Sequence, residues 1–201
     1  EGDIKGCFDN INHDWLQSNI PMDKRIMKQF LKSGFIYEGK LLPTETGSPQ
    51  GGAISSLYAN MTLDGLEKVI QDKYHRNSKG NIENHYRAKT KVNLVRYADD
   101  FIISANSRET AEELKLIVST FLESRGLMLS EEKTTISHID EGFDFLGWTF
   151  RKFKGKLIVK PSKSSIKSLI KKCSSIILKE GKASTQPDLI RRINQVIRGW
   201  T

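Results

Sequence analysis

Apolar positions along this chain fall either in short β-type runs or at helical spacing, and glycine-rich punctuation separates them. Val92 to Val95 and Phe101 to Ser104 are short β-type runs, and Tyr97-Ala98-Asp99-Asp100 between them reads as a hairpin tip carrying two adjacent carboxylates. A solvated hairpin favours Asn-Gly or Asp-Gly at its turn and charge on one face. Here the strands are apolar on both sides and the acids sit at the turn. On that pattern alone, a metal site and a plain surface turn both stay open.

The remaining elements follow in order. Asp3-Ile4-Lys5 reads as a strand end, and Asn12-His13-Asp14 opens a short helical stretch that Pro21 interrupts. An amphipathic segment with Ile26, Met27, Phe30 and Leu31 follows, and Gly34 caps it. Phe35 to Tyr37 and Leu41-Leu42 form a small hairpin around Glu38-Gly39-Lys40, ahead of the glycine-rich stretch Gly47-Ser48-Pro49-Gln50-Gly51-Gly52. One well-buried helix is then expected, with Ile54, Leu57, Met61, Leu66, Val69 and Ile70 largely on one face. Residues 73 to 92 hold eight Lys, Arg or His against Glu83 alone, which reads as a surface loop or an insertion.

Beyond the acidic hairpin, Ser107 can cap a helix in which Ala111, Leu114, Ile117, Val118, Phe121 and Leu122 keep helical spacing up to Gly126. Two short strands are expected near Leu127 to Leu129 and Thr134 to Ile136, then a hairpin of Phe143 to Phe150 and Lys156 to Val159 turning at Lys154-Gly155. A basic helix from Ser162 to Lys179 carries the stripe Ile166, Leu169, Ile170, Cys173, Ile176 and Ile177, and Gly181 ends it. Thr185-Gln186-Pro187-Asp188 resembles a capping box for a last helix with Leu189, Ile193, Val196 and Trp200. This order predicts an α+β fold, a split βαβ antiparallel sheet with helices on one face, in which Asp3 and Asp99-Asp100 meet at one edge.

Composition narrows the partners. With 201 residues and 37% hydrophobic content the chain can bury a real core. No apolar run approaches a membrane span, and the start Glu1-Gly2-Asp3-Ile4-Lys5 has no signal-peptide pattern, so neither a membrane nor export is expected. Cys7 and Cys173 lie far apart without a partner at ligand spacing, as buried reduced thiols would. The net charge of +8 is concentrated at the end, where residues 151 to 201 hold 14 Lys or Arg against only Glu180 and Asp188. A basic segment beside an acidic site suits a polyanion binder, in which cations meet phosphates and acids hold a divalent metal; a solvated lysine-rich helix face is the plainer alternative. Hard oxygen donors of the Asp3, Asp99 and Asp100 kind select Mg²⁺, or Mn²⁺, and three converging carboxylates require such cations between them. The four histidines lie apart, in capping, loop and edge contexts, and make no metal site.

Taken together, Glu1-Gly2-Asp3-Ile4-Lys5-Gly6-Cys7-Phe8-Asp9-Asn10-Ile11, Gly47 to Gly52, Tyr97-Ala98-Asp99-Asp100, Gly126-Leu127 with Ser130-Glu131-Glu132-Lys133-Thr134, and Phe145-Leu146-Gly147-Trp148 resemble the ordered palm motifs of a reverse transcriptase. The nearest resemblance is to the reverse transcriptase/maturases of group II introns. Gly147-Trp148, the stretch from Lys154 to Lys160 and Ile197-Arg198-Gly199-Trp200 resemble that family's maturase-specific region, which forms the thumb.

The resemblance implies a right-hand polymerase palm over residues 1–150, with a ferredoxin-like sheet, and the beginning of a helical thumb over 151–201. Asp3, Asp99 and Asp100 would be the metal triad for two Mg²⁺ ions, helped by the Ile4 backbone carbonyl, in a two-metal transfer of dNTPs onto a DNA primer over an RNA template. Asp9 is read as a turn or capping residue. Phe8 would be the steric gate against a 2′-hydroxyl, and Gln50, with Pro49, Gly51 and Tyr97, would contact the incoming nucleotide. Lys133 would protonate or neutralise departing pyrophosphate. Phe145, Leu146, Gly147 and Trp148 would grip the primer, and Lys163, Lys167 and Lys171 would follow the duplex phosphates. Core packing for Phe8 and Phe145, a tight loop for Gln50 and an ordinary turn for Lys133 are the rival roles.

Family members precede the first palm motif with fingers that this chain lacks at Glu1, so independent activity is not expected of it. Thr201, one residue past Trp200, reads as the end of a truncated element. Group II intron RNA would be a further partner, in a bacterial cytoplasmic ribonucleoprotein; an organellar origin and a homodimer stay open. Rival functions are a non-catalytic maturase that grips intron RNA with the 73 to 92 loop and the thumb, a reverse transcriptase of another bacterial lineage, and a more distant two-metal palm enzyme such as a nucleotidyl cyclase.

Overall fold

The computed structural model describes residues 1–44, 46–48, 54–83 and 90–200. They divide into two compact units, Glu1–Ile136 and Ser137–Thr201.

The first unit begins with residues that pair on both sides. Gly2 exchanges backbone hydrogen bonds with Phe101, at 2.9 and 3.3 Å, and the Lys5 N–H donates to the Met128 carbonyl at 2.9 Å while the Ser130 N–H donates to that of Asp3 at 2.8 Å. Three short helices follow, α1 (Cys7–Asn10), α2 (His13–Asn19) and α3 (Lys24–Leu31). Asn12 caps α2 through its side chain and Asp23 caps α3, each accepting N–H bonds from the first turn. The capping role expected of Asp9 therefore falls to Asn12; Asp9 itself lies exposed inside α1.

Strands β1 (Phe35–Tyr37) and β2 (Lys40–Leu42) form the expected hairpin, with Glu38 and Gly39 both left-handed at its turn. The single helix expected after the glycine-rich stretch is two helices, α4 (Ser55–Leu63) and α5 (Leu66–Tyr74), broken at Asp64-Gly65 where Gly65 takes φ 88°. The break rotates the buried face. Tyr58, Ala59, Thr62 and Leu63 point inward, whereas Leu57 and Val69 are exposed. Part of the segment read as a loop from residue 73 is structured too: Lys73 and Tyr74 finish α5, Arg76 pairs with Ile82, and His75 is buried. A carbonyl oxygen only accepts, so His75 Nε2, 2.6 Å from the Val92 oxygen, carries its proton there.

β3 (Asn93–Tyr97) and β4 (Asp100–Ser104) pair antiparallel, in a register that closes with Tyr97 opposite Asp100. The strip around Gly2 to Ile4 lies next to β4, and Ile4 pairs with Leu129 on its other side, so the residues expected as a strand near 127 to 129 make single pairings rather than a ladder. No strand is formed at 134 to 136, although the Thr135 N–H donates to the Glu1 carbonyl at 3.0 Å. α6 (Arg108–Glu123), capped by Ser107, buries Leu114, Val118, Phe121 and Leu122 and packs on α5. Ile4, Cys7, Ile11, Leu16, Tyr58, Leu63, Leu66, Phe101 and Leu127 share one core with that face. The first unit is thus mixed α and β with small antiparallel pairings.

The second unit is a meander, β5 (Phe143–Phe145), β6 (Trp148–Phe153) and β7 (Lys156–Pro161), followed by α7 (Lys163–Ser175) and α8 (Gln186–Trp200). The basic helix ends at Ser175, four residues before the expected Lys179: Ile176–Glu180 widens into a π-helical turn and Gly181–Ala183 tightens into a 3₁₀ turn. Thr185 receives the Leu189 N–H on its carbonyl and bonds Asp188 through its hydroxyl at 2.7 Å, the expected start of α8. Among the described residues, no helix is long and apolar enough to cross a membrane.

Candidate active site

Pairing of Gly2 with Phe101 sets Asp3 beside the start of β4, where Asp100 stands, and Asp99 occupies the turn. This pairing depends on the absence of a side chain at position 2. A Cβ there would run into the ring of Phe101, which is itself buried. The turn has only Ala98 and Asp99 between the paired Tyr97 and Asp100, and Ala98 takes φ 54°, a left-handed conformation that costs an alanine roughly 1 kcal/mol. Arg96 holds it there: its Nη1 donates to the Ala98 carbonyl at 2.8 Å and to Asn60 Oδ1 on α4 at 3.0 Å.

Asp100 senses the other two aspartates. Burial first, then the charges of Asp99 and Asp3, push the Asp100 carboxyl above its ordinary range, and Lys133 opposes the shift. Lys133 Nζ lies 3.3 Å from Asp3 Oδ2 and supplies positive charge at the cluster. Beneath it, burial together with Asp99, Asp3 and Asp9 pushes the Cys7 thiol up to about 12, so it stays protonated at neutral pH. Both cysteines are free thiols. Three carboxylates around a cation are the donor chemistry of a hard divalent metal. Among the described residues, no three His, Cys, Asp or Glu side chains are arranged closely enough to form a ligand cluster; Asp3 faces the Lys133 ammonium instead. The donor set fits Mg²⁺ in kind.

Other expected site residues fall as follows. Ile4 is buried between its strand neighbours, Phe8 on α1 is half-buried against the core, and Tyr97 is exposed beside the turn. Pro49, Gln50 and Gly51 lie outside the described residues. In the second unit, Leu146 and Gly147 form the β5–β6 turn with φ 48° and 83°, both left-handed. A Cβ at Gly147 would stand 2.8 Å from the Ser165 hydroxyl, which would have to turn aside, and the Gly147 carbonyl accepts the Ser162 N–H. Phe145 is buried; Leu146 and Trp148 are exposed on either side of the turn. Lys163, Lys167 and Lys171 are exposed one turn apart on α7.

Three residues that the sequence did not single out belong to the site's frame. Arg96 and Asn60 hold the acidic turn, and His13 Nε2 lies 2.6 Å from the Gly47 carbonyl. None had a readable signal, because Arg96 reaches Asn60 and His13 reaches Gly47 across separations of 36 and 34 residues.

Residues 1–150 match the reverse transcriptase (RNA-dependent DNA polymerase) family, and the chain belongs to it. Residues 166–201 match the maturase-specific domain of group II introns, which sets the chain among the group II intron reverse transcriptase/maturases. It is similar to the group II intron-encoded protein LtrA of Lactococcus lactis subsp. cremoris, 34% identical over 75% of this chain and 34% of that protein. Protein YkfC of Escherichia coli K12 is 29% identical over 73% of the chain and 45% of its own length. An uncharacterized 91 kDa protein in the cob intron of Schizosaccharomyces pombe is 30% identical over 69% and 23%. The chain thus spans about a third of the length of the Lactococcus relative.

Proposed function

We propose that this chain is the palm and the beginning of the thumb of an RNA-directed DNA polymerase encoded by a group II intron. The palm is assigned to residues 1–150, with its central pairings as the core of a split βαβ, ferredoxin-like sheet, and the thumb to 151–201. The observation that carries the reading is the pairing of Gly2 with Phe101, which sets Asp3 beside the Asp99-Asp100 turn, with Lys133 Nζ 3.3 Å from Asp3 Oδ2.

In this reading Asp3, Asp99 and Asp100, helped by the Ile4 carbonyl, would hold two Mg²⁺ ions, or Mn²⁺ in their place. The ions supply an activated primer hydroxyl and charge neutralisation for the leaving oxygens. The chain's own residues do the rest. The sheet pairing of Gly2 with Phe101 and the Arg96 tie fix the carboxylates before substrate arrives, so that little reorganisation accompanies the transfer. The primer 3′-hydroxyl attacks the α-phosphorus, the bond to pyrophosphate breaks, and Lys133 neutralises or protonates the departing group. Gln50, with Pro49, Gly51 and Tyr97, contacts the incoming dNTP; Phe145 to Trp148 grip the primer, and Lys163, Lys167 and Lys171 follow the duplex. Intron RNA is bound as well, to assist splicing and mobility in an intron ribonucleoprotein.

The test uses the full-length protein on a primed RNA template. Mg²⁺-dependent dNTP incorporation is expected, and its absence with intact RNA binding would favour a maturase without polymerase chemistry. Phe8→Val should raise ribonucleotide incorporation at least about tenfold relative to dNTP, the scale of one relieved steric contact of 1–2 kcal/mol. An unchanged sugar preference would assign Phe8 to core packing alone.

A further inference from the structure

Thr46, Gly47 and Ser48 are clasped to the first two helices by four hydrogen bonds. The Ser48 N–H donates to the Phe8 carbonyl at 2.6 Å, and the Gly47 N–H to that of Ile11 at 3.0 Å. Thr46 Oγ1 donates to the Asp9 carbonyl at 3.0 Å, and His13 Nε2 lies 2.6 Å from the Gly47 oxygen. That oxygen only accepts, so the half-buried imidazole must hold its proton on Nε2. The clasp leaves no slack. Gly47 sits at φ 69° with its Cα pressed on the Phe8 carbonyl and the Asp9 backbone, so closely that a Cβ would stand 2.6 Å from Asp9 Cα.

We propose that His13 is a positioning residue for nucleotide selection. The inference rests on the polymerase reading, in which Phe8 and Gln50 both contact the incoming deoxynucleotide. Ser48 is bonded to the carbonyl of Phe8 itself and precedes Pro49-Gln50 in the chain. Whatever fixes residues 46 to 48 therefore fixes where that stretch departs relative to the Phe8 ring. Two of the four bonds are backbone to backbone and one comes from the exposed Thr46 hydroxyl; His13 contributes the remaining one, from the first turn of α2. Through it, the helix behind the sugar gate grips the loop ahead of the nucleotide contact.

Steady-state dNTP incorporation by the full-length protein tests this. His13→Ala should raise KM for dNTP roughly fivefold to tenfold, the scale of one lost hydrogen bond, and increase ribonucleotide use. The turnover number and template-primer affinity should stay within about twofold, which a general loss of folded protein would not produce. His13→Gln, with an amide N–H at comparable reach, should recover most of the loss, whereas His13→Phe should not. Wild-type KM and sugar choice in His13→Ala, or equal recovery by Gln and Phe, would overturn the proposal. Should His13→Ala fold poorly, Thr46→Val removes an exposed member of the same clasp and must shift KM in the same direction; no shift counts against it. If the wild-type protein incorporates no dNTP, the polymerase reading fails, and amide exchange at Gly47 and Ser48 still judges the clasp: faster exchange in His13→Ala supports it and unchanged exchange refutes it.

Discussion

Replacing Asp99 and Asp100 together by asparagine is expected to lower Mg²⁺-dependent incorporation by at least about a thousandfold while raising Tm at neutral pH. Loss of activity follows from removing charged donors where charge must be balanced in the transition state, an effect of about 4 kcal/mol. The gain in stability follows from the repulsion that the fold tolerates. Asp100 binds its proton more tightly folded than unfolded, because of burial and of the charges on Asp99 and Asp3. A raised carboxyl contributes stability that is complete below its unfolded value and lost as pH rises through its folded value. At neutral pH the charged Asp100 therefore weakens the fold, and the neutral amide should not. The Tm difference between variant and wild type should narrow as pH falls below about 4, the ordinary aspartate value, where the carboxyl becomes protonated in both states. Added Mg²⁺ should raise the wild-type Tm and leave the variant's unchanged. Undiminished incorporation would remove the catalytic reading, and a lower Tm at neutral pH would mean that the carboxylates hold the turn together rather than strain it.

Gly47→Ala should destabilise the chain by about 3 kcal/mol, from left-handed strain of 1–2 kcal/mol and forced displacement of packed backbone. The first added atom meets the Phe8 carbonyl and the Asp9 backbone, neither of which is the far end of a flexible side chain. Gly39→Ala is the control. Gly39 has nearly the same conformation, φ 76° against 69°, but nothing lies within 4 Å of the position its Cβ would take. Strain alone is left, and the cost should be about 1 kcal/mol. Denaturant unfolding of both variants measures the difference, and equal losses would show that the 46 to 48 segment moves aside without penalty.

What the sequence revealed depended on whether a signal was local. The acidic hairpin was legible because two short apolar runs flank the tetrapeptide Tyr97-Ala98-Asp99-Asp100, and the pairing that closes with Tyr97 opposite Asp100 then follows. Caps at Ser107 and Ser162 were legible for the same reason, each bonding within its own first turn. The break between α4 and α5 was hidden because Leu66 and Ile70 resume a helical rhythm after Asp64-Gly65, and periodicity carries no record of a rotation between two helices. Nor does a stripe that continues through Ile176 and Ile177 show that the backbone widens there. In the candidate site, the acids and Lys133 were readable as motifs. Arg96, Asn60 and His13 were not, since the Arg96–Asn60 and His13–Gly47 bonds join residues far apart in sequence and leave no spacing to read.

Arg125 gives the scaffold a property that the carboxylates lack. Its guanidinium lies over the Phe121 ring at 3.4 Å and the Trp15 ring at 4.8 Å, and its Nε donates to the Thr62 carbonyl at 2.8 Å. One side chain thus bolts α2, α4 and α6 together. Burial lowers its pKa, yet a guanidinium remains charged across the range in which proteins work. The carboxylates of the site can therefore gain and lose protons or cations while this bolt keeps its charge, so the tie between α2, α4 and α6 does not depend on their protonation.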